Sequence, residues 1–454
     1  MVQLVQPNVE ALVKIAIAFQ NARMIEAARE RYEAALSLDP DHVGALINLG
    51  GIYHLHYNDD TMAMAFYRRA EAIEPNNTLL LANMSGSFLT LYDFANAEAY
   101  ARRVLALDSA NALGYWNLAN ALWRQNRLEE ACEEFRHASL YDPKLPMIRQ
   151  NWAMALLGKG DYAKGLPMYD VRWEIVVRHP VAHCGLPEWT GQPLKDKTIV
   201  VAWEQGFGDT LQFVRFLPWL RQQGAHVIFI AQRALAQIVR DAQLADEVLT
   251  DDSAIPAAHY FSTLMSVMKH LGVTPNNIPS APYLWWPASH HKPNDKFNVG
   301  IAWGGGNEHR ADLERSMPLA ALEPLLRPFS GAVFHSLQIG AQREAELKNS
   351  PLQWNVIDHA HEIKSFSDTA AIIANLDLVI SVDTAVAHLA AAMGKETWIL
   401  CANFRCWRWL RDRTDTPWYP SVRLFTQPVP GDWDSVIRDV RNELERKTAA
   451  RDAA

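Results

Sequence analysis

Prolines at 40, 75 and 143 fall in step with a period near 34 residues, Ser109 standing where the missing member would be. An aromatic lies eight residues before each of these prolines (Tyr32, Tyr67, Phe135) and an alanine five before (Ala35, Ala70, Ala138). Asn48-Leu49-Gly50 with Tyr53, and Asn117-Leu118-Ala119, repeat the same theme. A recurrence of this length restricts the N-terminal part of the chain to stacked supersecondary units, because one such unit cannot bury its own apolar face and needs its neighbours. The small residues let paired helices approach, and the aromatics fill the space between units. The proline stops the second helix because it cannot supply the next backbone N–H. An ordinary helical bundle has no need for five positions to recur together.

The pattern resembles the tetratricopeptide repeat, two antiparallel helices per unit, with four repeats over residues 7–143 and a degenerate fifth over 144–175. After Trp173 the texture changes: His179-Pro180, Gly185-Leu186-Pro187, Gly191 and Pro193 break helical periodicity and mark a linker. Short β-branched runs then alternate with helical stretches at Thr198–Trp203, His226–Ile230, Phe297–Trp303, Ala332–Ser336 and Leu376–Val382, which predicts parallel sheets with crossover helices. The proline-rich stretch Pro279–Asp295 divides this region into two halves. The expected organisation is an α-solenoid over 1–175, then two facing Rossmann-like domains over 176–290 and 291–454.

Composition narrows the partners. At 454 residues, 49% hydrophobic and 21% charged, the chain can bury sizeable cores and is not of a disordered class. Its net charge of −8, with neither part basic, argues against nucleic acid. Four cysteines without a C-x-x-C pair, no signal-peptide pattern and no apolar run of membrane-spanning length lead us to expect free thiols, no transmembrane segment and a cytoplasmic location.

Three stretches have the residue types for chemistry. Glu204-Gln205-Gly206-Phe207-Gly208-Asp209-Thr210 follows the first strand and precedes a helical pattern from Leu211 to Arg221. Gly206 and Gly208 allow close approach of a ligand, and Asp209 stands at a helix start, where it can serve as an acid–base group or simply as a cap. Gly304-Gly305-Gly306-Asn307 ends the strand that opens the second half and has the composition of an N–H nest for a diphosphate or merely of a mobile turn. Arg315, ahead of a Leu319-x-x-Leu322-x-x-Leu325 pattern, suits a bidentate grip on a phosphate or a solvated position. In the third stretch a strand ends at Val382, Asp383-Thr384 supplies an N-cap, and a helix of small residues runs to Gly394. His388 lies one turn inside that helix, where the positive end of the macrodipole disfavours its protonated form.

Ser381-Val-Asp-Thr-Ala-Val-Ala-His-Leu-Ala-Ala-Ala-Met-Gly394 resembles the donor-site signature of the ADP-heptose:lipopolysaccharide heptosyltransferases, glycosyltransferase family 9. The whole arrangement is similar to bacterial tetratricopeptide-containing glycosyltransferases at Glu204–Phe213, which includes Gln212, at Ser336-Leu-Gln338, at Phe366-Ser-Asp-Thr-Ala370 and at Trp407-Arg-Trp409 with Trp418-Tyr-Pro420. The resemblance implies a GT-B fold and metal-independent inverting transfer from a nucleotide sugar held by the C-terminal domain. It implies Asp209 as the base, Arg315 as a phosphate contact, and Asp383, Thr384 and His388 as the donor motif. Gly206, Gly208, Gln212, Gly304, Asn307 and Gln338 join them as substrate- or donor-binding positions, and His388 and Glu204 are rivals for the base. Ala391, Glu396 and Phe404-Arg405-Cys406 depart from the family pattern.

No metal or other cofactor is expected. His359-Ala-His361 offers only two ligands, and Asp39/Asp41 and Asp432/Asp434 fall on helix-end signals. The tryptophans at 398, 407, 409, 418 and 433 are expected mostly in the core. The reading is thus a glycosyltransferase, hexosyl- or heptosyl-, that takes a nucleotide-sugar donor and a protein acceptor chosen by the repeats. The alternatives are a scaffold or co-chaperone with an inactive GT-B half, and a nucleotide-sugar epimerase.

Overall fold

A computed structural model describes residues 8–176, 179–287, 296–306, 312–327 and 331–452. The chain forms two compact units, Met1–Ala155 and Leu156–Ala454. The expected end of the repeat array at 175 lies some way beyond this division.

The first unit is built of antiparallel helix pairs: Val9–Asn21 with Ile25–Leu38, Val43–Ile52 with Asp60–Ile73, Thr78–Thr90 with Phe94–Leu107, and Ala112–Arg124 with Leu128–Tyr141. A further pair, Pro146–Lys159 and Tyr162–Tyr169, spans the division between the two units in sequence. Asn8, Asn77 and Asn111 cap first helices, and Asp59 and Asp93 cap second helices, each through a side-chain oxygen that accepts a backbone N–H. Pro40, Pro75 and Pro143 each stand two residues beyond a second helix. Tyr32, Tyr67, Phe135, Ala35, Ala70 and Ala138 are fully buried, as the spacing requires. A Cβ on Gly50 would lie 2.4 Å from Tyr67 Cε1, so glycine is what allows this helix to rest on that ring.

The second unit contains two all-parallel sheets. β1 (Thr198–Ala202), β2 (His226–Ala231), β3 (Glu247–Thr250) and β4 (Tyr260–Thr263) pair in the order β3-β2-β1-β4. β5 (Phe297–Ala302), β6 (Ala332–Ser336), β7 (Val356–Asp358), β8 (Leu378–Val382), β9 (Thr397–Cys401) and β10 (Val422–Thr426) pair in the order β10-β9-β8-β5-β6-β7. Read from β7, the second order is that of a doubly wound dinucleotide-binding sheet, with its switch point between β5 and β8. The first sheet switches between β1 and β4. All five strands expected from the sequence are present, and β1, β5 and β8 are almost wholly buried and mostly apolar, as central parallel strands must be, with Asn298 and Ser381 as buried polar members. The chain therefore leaves both switch points through the stretches singled out above: Glu204–Thr210 after β1, Gly304–Gly306 after β5, and Asp383–His388 after β8.

Candidate functional site

The backbone turns at Gln205 (φ 63°) and enters the helix Phe207–Phe213 with Gly206 as its N-cap. This helix begins four residues earlier than the sequence suggests and ends at Phe213; a 3-10 turn over Val214–Phe216 separates it from Leu217–Gln222. Gly208 and Asp209 thus lie in its first turn. Asp209 Oδ2 accepts the Gly206 N–H at 2.9 Å, so capping is half of its role. Its other oxygen, Oδ1, is ion-paired with Arg408 Nη2. Arg408 is buried, its guanidinium lying 4.7 Å from the ring centre of Trp407 and 5.2 Å from that of Phe213. Burial works against this charge, and the Asp209 carboxylate more than restores it, which raises the guanidinium above its ordinary range.

After β8, Thr384 is the N-cap of the helix Ala385–Ala392. Its hydroxyl does not cap the helix, as the sequence suggests, but lies 3.1 Å from Ser381 Oγ. His388 is buried and stacks on Trp409 with ring centres 5.2 Å apart. Its Nδ1 is 3.0 Å from Tyr419 Oη and its Nε2 3.6 Å from Asp383 Oδ1, while Asp383 Oδ2 accepts the Trp409 indole N–H at 2.8 Å. Burial pushes the Asp383 carboxyl up, but His388, Trp409 and the charge of Arg315 outweigh it and hold Asp383 below the usual carboxylate range. A Cβ on Gly208 would lie 3.0 Å from His388 Cδ2 and 3.7 Å from Ala385 Cα. The two glycosyltransferase-like stretches thus meet, and Asp209, Arg408, Trp409, His388 and Asp383 make one continuous cluster. The turn that carries Arg408 and Trp409 ends in Leu410, a buried residue at φ 54°, ψ −179°, a conformation that side chains other than glycine's seldom adopt.

The turn after β5 corrects one expectation. Gln338 Oε1 accepts the N–H groups of Trp303 and Gly304, each at 3.0 Å, and its Nε2 donates to Gly304 O at 3.1 Å. Gly305 N–H donates to Ser316 Oγ at 2.9 Å, and that hydroxyl donates to Asp312 Oδ1 at 2.7 Å. None of the three glycines takes a positive φ, which an N–H nest requires, so this is a pinned turn. Gln338 is its brace. Arg315 Nε is 3.3 Å from Asp312 Oδ1, and a Cβ on Gly305 would lie 2.6 Å from Arg315 Nη2, which puts the guanidinium directly over the turn. Arg343 covers Gly304 in the same way at 2.4 Å. Asn307 lies outside the described residues. Gln212 is fully buried, and neither atom of its side-chain amide has a hydrogen-bond partner.

Glu204, a rival base in the sequence, is closed off. Both its oxygens lie 3.1 Å from Arg172 Nη2, and Oε1 also accepts the Met265 N–H at 3.1 Å. Arg172 comes from the 3-10 turn Asp170–Glu174 and bonds Tyr169 O, Asp170 and Ser266 Oγ as well. This buried ion pair fills the switch point of the first sheet. Burial lifts the Glu204 carboxyl, with Arg172 opposing.

Sequence reasoning missed Arg172, Arg343, Arg408 and Tyr419. The last two stand inside the motifs Trp407-Arg-Trp409 and Trp418-Tyr-Pro420, where a charged or hydroxylated residue between tryptophans is itself a signal of a buried polar contact. Trp398, Trp407, Trp409, Trp418 and Trp433 are all buried. Among the described residues no three His, Cys, Asp or Glu side chains converge as a metal site, and no helix is long and apolar enough to cross a membrane.

Residues 13–78 and 87–140 match a tetratricopeptide repeat model, and residues 364–400, which contain the Asp383–His388 cluster, match glycosyltransferase family 9 (heptosyltransferase). Protein FlbA of Caulobacter vibrioides is 26% identical over 95% of this chain and 83% of its own length. Protein O-mannosyl-transferase TMTC1 of Mus musculus is 40% identical over 14% of this chain and 6% of its own. A solved thermophilic tetratricopeptide protein of Thermus thermophilus, 16% identical, covers 37% of this chain and 91% of that one at a TM-score of 0.34. The chain thus combines tetratricopeptide repeats over residues 13–78 and 87–140 with a glycosyltransferase family 9 signature over residues 364–400.

Proposed function

We propose that the second unit is an inverting, metal-independent glycosyltransferase, hexosyl- or heptosyl-, with Asp209 as its general base. The observation that carries this reading is the meeting of the Asp209–Arg408 pair with the His388–Asp383 pair at the carboxyl ends of the strands, where ligands of open parallel sheets gather. The acceptor nucleophile attacks the anomeric carbon, Asp209 takes its proton, and the bond to the departing diphosphate breaks. Arg408 holds one Asp209 oxygen and the Gly206 N–H the other, so the carboxylate is fixed in direction before the acceptor arrives. The diphosphate lies at the N-terminus of the helix Ala385–Ala392, near Thr384 and His388, with the Arg315 guanidinium as its charged contact. The repeats select a protein acceptor, since stacked helix pairs offer an extended surface far larger than a sugar needs. The reaction takes place in the cytoplasm.

The test is Asp209→Asn in the full chain, which keeps the size and one acceptor oxygen of the residue. A screen of UDP-, GDP-, ADP- and CMP-sugars by thermal shift first identifies the donor, since a ligand at a hundred times its Kd stabilises by about 2.7 kcal/mol. The variant then loses kcat by about 10² to 10⁴ with donor affinity nearly unchanged. Turnover near that of the wild type, with both substrates saturating, makes Asp209 a cap and nothing more.

A further inference from the structure

The helix Phe207–Phe213 carries Asp209 and the helix Ala385–Ala392 carries His388, and the two pack on each other at Gly208. They come from different halves of the second unit, one following β1 and the other β8. Their N-terminal ends make the candidate site, so whatever joins their C-terminal ends helps to set its spacing. Tyr283 does so. This residue lies in the chain that leads from the first half to the second, and its backbone N–H donates to Ala392 O at 3.0 Å, joined by the N–H of Leu284 at 3.1 Å. Its hydroxyl reaches the other helix and donates to Leu211 O at 2.7 Å. One residue thus takes up carbonyls in the last turns of both helices, where partners within the helix run out. The neighbouring chain is pressed onto the second of them: a Cβ on Gly394, which has φ 73°, would lie 2.6 Å from Pro282 Cγ.

Tyr283 is itself held. Arg215 Nη2 donates to its hydroxyl at 2.9 Å, Nε donates to Gln212 O at 2.7 Å, and Nη1 donates to Trp418 O and Pro279 O. Arginine only donates, so the Tyr283 oxygen accepts there and its one proton goes to Leu211 O. Arg215 is 3% exposed, and among the described residues every acceptor it meets is neutral. A buried charge without a counter-ion is costly, and here it faces the partial negative charge of a helix C-terminus and lies 4.6 Å and 4.4 Å from the ring centres of Tyr283 and Tyr419. Tyr419 Oη in turn stands 3.0 Å from His388 Nδ1.

We propose that Tyr283 is a positioning residue, a strut between the C-terminal ends of the two helices that sets the separation of Asp209 from Thr384 and His388. Only the effect on sugar transfer rests on the glycosyltransferase reading; the strut does not. The donor contacts of that reading, Thr384, His388 and Arg315, all follow β5 or β8, whereas Asp209 follows β1. Loss of the strut therefore displaces the base and leaves the donor contacts in place.

The experiment is Tyr283→Phe in the full chain, which keeps the ring and the backbone N–H to Ala392 O and removes the hydroxyl alone. Hydrogen exchange read by mass spectrometry needs no substrate. Exchange in peptides covering 207–216 rises by about threefold to tenfold over the wild type, the effect of one hydrogen bond on local opening, and that in 385–392 changes by less than about twofold. A rise in 385–392 equal to that in 207–216 is plain loss of stability and overturns the proposal, as do unchanged exchange in 207–216 and a variant that no longer folds. With the donor identified, kcat falls by about tenfold to a hundredfold at unchanged donor KM, the scale of a misplaced reacting group. Turnover near that of the wild type, or a rise in donor KM that accounts for the loss, overturns the effect on transfer. If no nucleotide sugar binds at all, the glycosyltransferase reading fails while the exchange pattern still decides the strut.

Discussion

Replacing Arg172 by methionine tests whether the ion pair at the first switch point holds the second unit together. Arg172 is 2% exposed and Glu204 5%, and the guanidinium supplies the charge that both Glu204 oxygens face. Without it Glu204 retains the Met265 N–H and the Thr263 hydroxyl as donors but no counter-charge. Removing one partner of a buried pair costs about 3 to 5 kcal/mol, because the remaining charge stays desolvated. Methionine refills much of the volume, so a cavity adds little. The sign of the pH dependence follows. Burial already sets the Glu204 carboxyl above its unfolded value of about 4.3, and losing Arg172 removes what opposes that rise. A carboxyl raised in the folded state contributes stability below its unfolded pKa and loses it as pH climbs through the folded pKa. The deficit of Arg172→Met is therefore greatest at neutral pH and above, and shrinks toward pH 5. Urea unfolding followed by tryptophan fluorescence at several pH values measures it. The double variant Arg172→Met/Glu204→Leu recovers most of the loss, since an apolar pair of similar volume often replaces a buried ion pair without penalty. A loss below about 1 kcal/mol at pH 7, or an equal loss at pH 5 and pH 8, refutes the reasoning.

Three further outcomes are expected. Arg315→Ala weakens nucleotide binding by about 1.5 to 3 kcal/mol in calorimetry, the scale of a hydrogen bond to a charged group, and unchanged affinity removes Arg315 from the site. Gly50→Ala destabilises the repeats by about 1 to 3 kcal/mol in thermal unfolding, because the new Cβ meets the fully buried Tyr67 ring at 2.4 Å and the better helix propensity of alanine recovers only about 1 kcal/mol. A chain that begins at Pro146 folds, whereas one that begins at residue 176 has lost Arg172 and does not, as far-UV circular dichroism and size exclusion should report.

The repeats, the five strands and the three stretches at the strand ends were legible because each is written locally. A period, an alternation of β-branched runs, or a cap followed by small residues needs no knowledge of the rest of the chain. The pairings that give the site its chemistry are not local. Arg408 lies 199 residues from Asp209, Tyr419 lies 31 from His388, and Arg172 lies 32 from Glu204. No spacing rule connects them: β1 and β8 belong to different sheets, and their ends meet only because the helices that follow them, Phe207–Phe213 and Ala385–Ala392, pack on each other. The triple glycine shows the converse error. Its composition fits a nest, but nest geometry depends on the sign of φ, and that was fixed by Gln338 and Ser316 from outside the run.

The turn Trp407–Trp409 carries Arg408 to Asp209 and Trp409 to both His388 and Asp383, and it ends at Leu410 in backbone territory where a side chain is unwelcome. Holding a leucine there costs about 1 to 3 kcal/mol, which the surrounding contacts must supply. The acid of one sheet and the histidine of the other are thereby tied to a single loaded clasp. A substitution in that turn therefore reaches both side chains at once.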